Sequence, residues 1–304
     1  MPTLKEMVRA AQGPDLVVTA PHSNWMELLE HERHPNKKAL THMIKALLGG
    51  YKHERSGRFS PSAIGNPFVP CSRAVIFGYA GTPQLAADIE ATEMMEAGTD
   101  AHLRWQMEGL TMGYITEAEK WTYDDDLLCG GSMDGLLVDD SILELKTANH
   151  FAYDRVVTRD REPKHETLIQ SGIYMLLADK AWTSIVYENR SSGEFYEFRV
   201  ARDAKVEAEV LRRLSTLKAY LEADQLPPML DMCVQHVGSA YKMCGYRKIC
   251  PLMKSVHMAQ QARVDAEKAA EEYEWLGRVV PDDEAIPTWA EQIIAFLEKL
   301  PEDN

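Results

Sequence analysis

Between Gly131 and Thr147 apolar and polar positions alternate with period two: Gly131-Ser132-Met133-Asp134 leads in and Ile142-Leu143-Glu144-Leu145-Lys146-Thr147 leads out. That alternation predicts strands over Gly131–Val138 and Ile142–Thr147, joined by a tight turn at Asp139-Asp140-Ser141. With Asp140 at the turn centre, Asp134 stands opposite Lys146 and Glu144 lies one diagonal step away. The three then share a face, because residues two apart in a strand point the same way. Elsewhere the pattern predicts a helical amino-terminal region (Leu16 to Tyr51), followed by a segment punctuated by proline and glycine. Next come a proline-free helix rich in Ala, Glu and Met (about Gln84 to Met107) and a strand near Lys120–Tyr123. Beyond the hairpin the chain reads as a helix from about Glu166 to Ala178, strands near Thr183–Asn189 and Phe195–Val200, and a helix from about Ala204 to Ala223. A helix, three strands, a helix and two strands predict an α/β fold, a mixed sheet flanked by helices. No internal repeat or low-complexity linker interrupts it.

Two carboxylates and a lysine on one sheet face make poor core and a good site for a hard cation. Carboxylate oxygens suit Mg²⁺ or Mn²⁺, and a lysine beside them can hold or help deprotonate a metal-bound water. On the helix before the hairpin, Glu96-Ala97-Gly98-Thr99-Asp100-Ala101-His102 places Gly98 and His102 one turn apart on one face, where Gly98 is expected to allow close approach of a neighbour. After the hairpin, Gln170-Ser171-Gly172-Ile173-Tyr174 puts Gln170 and Tyr174 one turn apart on another helix. Alone, each piece also reads as a solvated strand, a surface histidine or an ordinary amphipathic helix. Their order within about eighty residues makes the combination specific.

This combination resembles the PD-(D/E)xK nuclease superfamily, whose signature is an Asp followed by Glu-x-Lys on adjacent strands. Its RecB-like branch adds Gly-x-x-Asp (Gly131 to Asp134), Gly-x-x-x-His (Gly98 to His102) and Gln-x-x-x-Tyr (Gln170 to Tyr174). The resemblance implies a restriction-endonuclease-like core. His102, Asp134, Glu144 and the backbone carbonyl of Leu145 would hold a divalent metal. Lys146 would position the attacking water and stabilise charge on the phosphate, Gln170 would orient the catalytic groups, and Tyr174 would contact the nucleic-acid strand or the site wall. Glu119 is an outer-shell candidate, with a structural role as its default. The implied activity is a metal-dependent deoxyribonuclease, an exonuclease on single-stranded DNA or DNA ends in recombination or repair. A structure-specific endonuclease using the same site, or a non-catalytic module binding DNA or a helicase partner, stays open beside it.

The five cysteines are Cys71, Cys129, Cys233, Cys244 and Cys250. No amino-terminal stretch reads as a signal peptide and no run is long enough to span a membrane, so a cytoplasmic setting is expected, without membrane attachment. There clustered cysteines point to metal rather than disulfides. Cys244-Gly-Tyr-Arg-Lys-Ile-Cys250-Pro251, with Pro70-Cys71-Ser72-Arg73 upstream, resembles the iron–sulfur motif of CRISPR-associated RecB-like exonucleases and AddB-type nucleases, some of whose relatives are phage-encoded. The implied 4Fe–4S ligands are Cys71, Cys233, Cys244 and Cys250. The chain departs from that pattern at Tyr241, where a cysteine is usual, which leaves Cys233 as the nearest substitute. A structural Zn²⁺ site, with His236 as a further candidate, is the alternative. Cys129 reads as a packed strand residue.

The resemblance spans roughly residues 60–254. It divides the chain into a helical region (1–59), the nuclease core with its cysteine segment (60–254) and an acidic helical tail (255–304). Charge sharpens that division. The net charge is −14 over 304 residues, at first sight wrong for a nucleic-acid binder. Residues 255–304 alone contribute −8, however, leaving −6 for the rest. Basic residues cluster at Lys37, Lys38, Lys45, Lys52, Arg55 and Arg58, and again at Arg155, Arg159, Arg161 and Lys164. A local basic groove suffices for phosphate contacts.

Overall fold

The computed structural model describes residues 16–27, 34–47, 57–66, 71–85, 89–238, 241–242 and 244–275. Helices α1 (Thr19–Glu27) and α2 (Lys37–Leu47) precede two shorter ones, α3 (Pro61–Ile64) and α4 (Ser72–Ala80), and the long α5 (Ile89–Met112). Three strands follow, β1 (Ile115–Asp124), β2 (Cys129–Leu137) and β3 (Ile142–Ala148). A short helix α6 (His150–Asp154) runs into a π-helical turn over Arg155–Asp160 and leads to α7 (His165–Leu177). Then come β4 (Trp182–Asn189), β5 (Phe195–Ala201), α8 (Ala204–Glu222), a single turn α9 (Asp231–Val234) and α10 (Val256–Trp275).

The five strands form one sheet in chain order, antiparallel except where β3 and β4 run parallel. A parallel neighbour requires a crossover, and the α6–α7 segment supplies it. Strands β3 and β4 are largely buried on both faces, so that polar residues such as Glu144, Ser184 and Glu188 are enclosed along with the apolar ones. One layer is built on Trp105 and Leu110 of α5 with Val18 and Ala39, packed on Leu137, Leu143, Leu145 and Val186. The opposite layer carries α7 and α8, with Ile169, Ile173, Val210 and Leu214 around Phe59 and Cys129. The expected α/β class, a mixed sheet between helices, is the observed one. The residues called Lys52 and Arg55 above, and the tail beyond 275, lie outside the described residues.

A buried carboxylate fastens the amino-terminal region to this core. Glu197 on β5 accepts from the backbone N–H groups of Val18 (3.1 Å) and Thr19 (2.9 Å) and from the Thr19 hydroxyl (2.8 Å). It thereby satisfies amides that the first turn of α1 leaves open, and sets its charge at the positive helix end. From α1, His22 stacks on Trp105 with ring centroids 3.6 Å apart. Its Nδ1 lies 3.3 Å from the Tyr114 hydroxyl and 3.4 Å from Glu108 Oε2. Glu108 by itself would favour the imidazolium, but burial and then the Arg104 charge outweigh it and push the His22 pKa down to about 3. The unfolded chain takes up this proton below about pH 6.5 while the folded protein refuses it until about pH 3. Stability is therefore expected to fall on acidification across that window, by up to about 1.4 kcal/mol per pH unit. Urea unfolding of wild type and His22→Phe at pH 7.5 and pH 5 tests this; the histidine's share of the loss should vanish in the variant.

Two sequence expectations need correction. The β2–β3 ladder pairs Gly135 with Leu143 and Leu136 with Ile142, and Leu137 N–H donates to Ser141 O at 2.8 Å. The loop is therefore Val138-Asp139-Asp140, with Asp140 in the left-handed region (φ 66°) and its N–H on Leu137 O. Continued outward, this register sets Asp134 against Glu144 rather than Lys146. The error is two positions, which leaves every side chain on its expected face. The second concerns Gly98: a Cβ there would lie 3.9 Å from Thr147 Oγ1, an ordinary contact, so the close approach is absent. The tight glycine of α5 is Gly109, where a Cβ would come within 2.3 Å of Ile115 Cδ1 and 2.9 Å of the Tyr114 ring, both buried. Gly109→Ala is expected to cost about 1–3 kcal/mol by overpacking. Gly98→Ala should instead be neutral or stabilising by about 0.5–1 kcal/mol. Denaturant melts of the two variants check the contrast.

Candidate active site

The β2–β3 ladder stops short of Asp134 and Glu144, and the polar cleft opens where the strands part. Its walls include Arg58, Ser60, Ser62, His102, Glu119, Trp121, Ser132, Asp134, Glu144, Lys146, Gln170 and Tyr174. The six side chains singled out from the motifs thus converge on one cleft from α5, β2, β3 and α7. Leu145, whose carbonyl was the seventh expectation, has its side chain in the core, while its N–H donates to Asp134 Oδ2 at 2.6 Å. That bond replaces the ladder at its end.

The charges neutralise in pairs. His102 Nδ1 lies 3.2 Å from Asp134 Oδ1, and Lys146 Nζ lies 2.5 Å from Glu144 Oε1 while donating to Gln170 Oε1 at 3.0 Å. Burial opposes protonation of His102, yet the charge and hydrogen bond of Asp134 prevail and raise its pKa. Burial likewise opposes ionisation of Asp134, but His102, Lys146 and the Leu145 N–H hold it below the usual carboxylate range. Glu144 fares differently: burial, with Asp134 nearby, pushes it up to about 7 despite Lys146. Lys146 is held above its ordinary value because Glu144 and Asp134 outweigh its burial, so it stays an ammonium. Tyr174 donates to the carbonyl of Ser132 at 2.7 Å. Burial and the Glu144 and Asp134 charges keep its hydroxyl protonated.

Of two residues that shape the cleft, Glu119 was read only as an outer-shell candidate with a structural default, and Gln106 was not read at all. Glu119 accepts from Gln106 Nε2 (2.8 Å) and Ser132 Oγ (2.7 Å), so it belongs to the wall rather than to a remote structural layer. Gln106 also donates to the Asp134 carbonyl (2.8 Å) and meets His42 Nε2 at 2.9 Å. Glu119 reaches this position through an irregular β1, shifted in register between Ile115 and Glu117 and left-handed at residue 119 (φ 51°). Alternation alone does not foretell a bulge.

Among the described residues no three His, Cys, Asp or Glu side chains close into a ready-made ion cage. In the cleft the reason is visible, since the candidates are drawn onto one another as pairs. One observation nevertheless fits a cation: Glu144 is 1 % exposed and its Oε2 has no hydrogen-bond partner. A buried carboxylate oxygen without a donor is costly, and a hard cation would satisfy it.

Of the basic residues after β3, Arg155 and Arg159 pair with Asp160 (3.4 Å) and Asp154 (2.9 Å) in their own segment, so less free charge stands there than composition implies. The cysteines fall in two places, and the described thiols do not close into a metal-holding group. Cys129 is fully buried in the core, whereas Cys71, Cys233, Cys244 and Cys250 line one small cavity with Phe77, Tyr241, Tyr246 and Arg247. Burial, then the neighbouring Cys71, Cys244 and Cys250, raises the Cys233 pKa. His236 is exposed and stacks on Tyr241 at 5.1 Å instead of lining the cavity. Arg73 of α4 donates to the carbonyls of Pro227 (3.0 Å), Cys250 (2.9 Å) and Met253, tying α4 to the later segment.

No protein-family model and no curated protein sequence matches the chain. Among solved structures it is similar to an alkaline exonuclease (LHK-Exo) from Laribacter hongkongensis, at 20% identity and a TM-score of 0.43, over 58% of this chain and 93% of that one. The same enzyme in complex with dAMP gives 20% identity and a TM-score of 0.44, over 56% and 90% of the two chains. A structure of SSO0001 gives 16% identity and a TM-score of 0.41, over 69% and 94%. Likeness at this level is partial, and the chemistry below rests on the residues of the cleft.

Proposed function

We propose that the chain is a metal-dependent deoxyribonuclease that degrades single-stranded DNA or DNA ends, in the setting of recombination or repair. The observation that carries this reading is the orphaned Glu144 Oε2 in a cleft shared with Asp134, His102 and a charged Lys146. Asp134, Glu144, His102 and the Leu145 carbonyl would hold Mg²⁺ or Mn²⁺, which supplies charge neutralisation at a phosphate that otherwise repels nucleophiles. Lys146, kept protonated, donates its N–H bonds to a water or a phosphoryl oxygen and stabilises the charge that develops there; it is not the base. Gln170 fixes the ammonium, and Tyr174 fixes β2 through the Ser132 carbonyl. Cys71, Cys233, Cys244 and Cys250 would hold a 4Fe–4S cluster, a reading supported by the one cavity that the four thiols line.

The test uses single-stranded DNA labelled separately at each end, beside a circular single strand, with Mn²⁺ or Mg²⁺ added to protein purified without oxygen. Metal-dependent shortening from one end, with the circle intact, is expected. Cutting of the circle would replace the exonuclease by an endonuclease using the same cleft. No cleavage of either substrate by folded, loaded protein would overturn the nuclease reading in favour of a DNA- or partner-binding module.

A further inference from the structure

On β1, Glu119, Trp121 and Tyr123 point to one face, and Ser132 and Gly130 stand opposite Trp121 and Tyr123 on β2. This face begins in the cleft, where Glu119 and Ser132 are hydrogen-bonded, and runs outward toward the β1–β2 turn. Trp121 lines the cleft itself, while Tyr123 is 53 % exposed. The Arg58 guanidinium, paired with Asp125 at 3.2 Å, lies over the Tyr123 ring, 5.0 Å from its centroid, and packs against one face of the ring. Gly130 makes that arrangement possible: a Cβ there would come within 2.8 Å of Tyr123 Cβ and 3.2 Å of Arg58 Cδ. The result is an aromatic step of about 7 Å, two strand residues long, leading away from the candidate catalytic groups.

Resting on the nuclease reading above, we propose that Trp121 and Tyr123 form a stacking platform that receives two successive unpaired bases of a single DNA strand whose backbone lies at Lys146. Two aromatic rings in line with a polar cleft, on a strand face flanked by an arginine, are what sequence-tolerant binding of an unpaired strand needs, because every base offers a π-face. A duplex keeps its bases stacked on each other and cannot use the rings without melting. The platform therefore selects single-stranded DNA over duplex at the level of binding.

The measurement is fluorescence anisotropy of a labelled oligothymidylate and of a blunt duplex of equal length, in chelator so that nothing is cut, at several salt concentrations. Trp121→Ala and Tyr123→Ala are each expected to weaken single-strand binding about tenfold with no change in the salt slope, which counts phosphate contacts rather than stacked bases. Trp121→Phe, which keeps a π-face and guards against misfolding of the alanine variant, should retain affinity within about threefold. Duplex binding should not move. Equal losses on both substrates, a changed salt slope, or no loss at all would overturn the platform even if the wild type cleaves DNA. A wild type that binds and cleaves no DNA would remove the nuclease reading and the platform with it.

Discussion

Lys146→Ala is expected to lower metal-dependent DNA cleavage by about 10²–10³-fold, the scale seen when a donor that meets developing negative charge is removed. The loss should fall on the rate at saturating DNA rather than on affinity, because Lys146 meets one phosphate within a longer contact. The same substitution makes a second prediction that a merely structural lysine would not. Removing the ammonium leaves Glu144 buried without its 2.5 Å partner. Breaking a buried pair in this way costs up to about 3 kcal/mol, less where the remaining carboxyl can take a proton, as Glu144 can with its pKa raised to about 7. A divalent cation bound at Glu144 supplies the missing charge. Adding Mn²⁺ should therefore raise the melting temperature of Lys146→Ala more than that of wild type. Equal Mn²⁺ shifts, or wild-type cleavage by the variant, would remove Lys146 from the site.

What made this cleft legible in the sequence was parity. The hairpin register inferred from Asp140 as turn centre was wrong by two positions, yet Asp134, Glu144 and Lys146 still line one cleft, because an even slip preserves the face of every side chain. The helical pairs were readable for a similar reason: a four-residue spacing fixes a shared face whatever the helix packs against. Gln106 was not readable as a cleft neighbour, and Glu119 only as an outer-shell candidate with a structural default. Glu119 depends on an irregular, left-handed strand residue, and Gln106 on where α5 crosses β2, which no local period encodes. The Glu197 clasp on α1 joins residues about 180 apart and is invisible for the same reason. Gly98 shows the opposite failure: a glycine that belongs to a motif need not be a point of close approach, and the crowded one is Gly109.

Cys250→Ser is expected to abolish the visible colour of protein purified without oxygen and to lower its melting temperature steeply. The two effects should appear together because the cavity joins distant stretches of chain. Cys71 precedes the first turn of α4, Cys233 lies on α9, and Cys244 and Cys250 flank the turn that carries Tyr246. Besides the thiols, an apolar cluster of Phe77, Ala80, Tyr246 and Ala259 and a set of hydrogen bonds tie this junction together. The hydrogen bonds include those from Arg73 to three carbonyls, the Gln84 to Tyr246 hydroxyl bond at 2.7 Å, and the Thr82 hydroxyl on the Ala259 carbonyl. A bound iron–sulfur cluster would contribute folding free energy directly, as structural metals do in small domains, where about 10 kcal/mol is typical. Loss of a ligand should then free the segment from Cys233 onward for proteolysis while the sheet survives. Cys129→Ser supplies the contrast. Its thiol is packed in the core, with a pKa pushed up to about 12 by burial. That variant should keep its colour and lose only modest stability. Metal analysis separates the two cofactor readings: iron with acid-labile sulfide supports the cluster, whereas colourless protein with one zinc per chain assigns the same four thiolates to a structural zinc site.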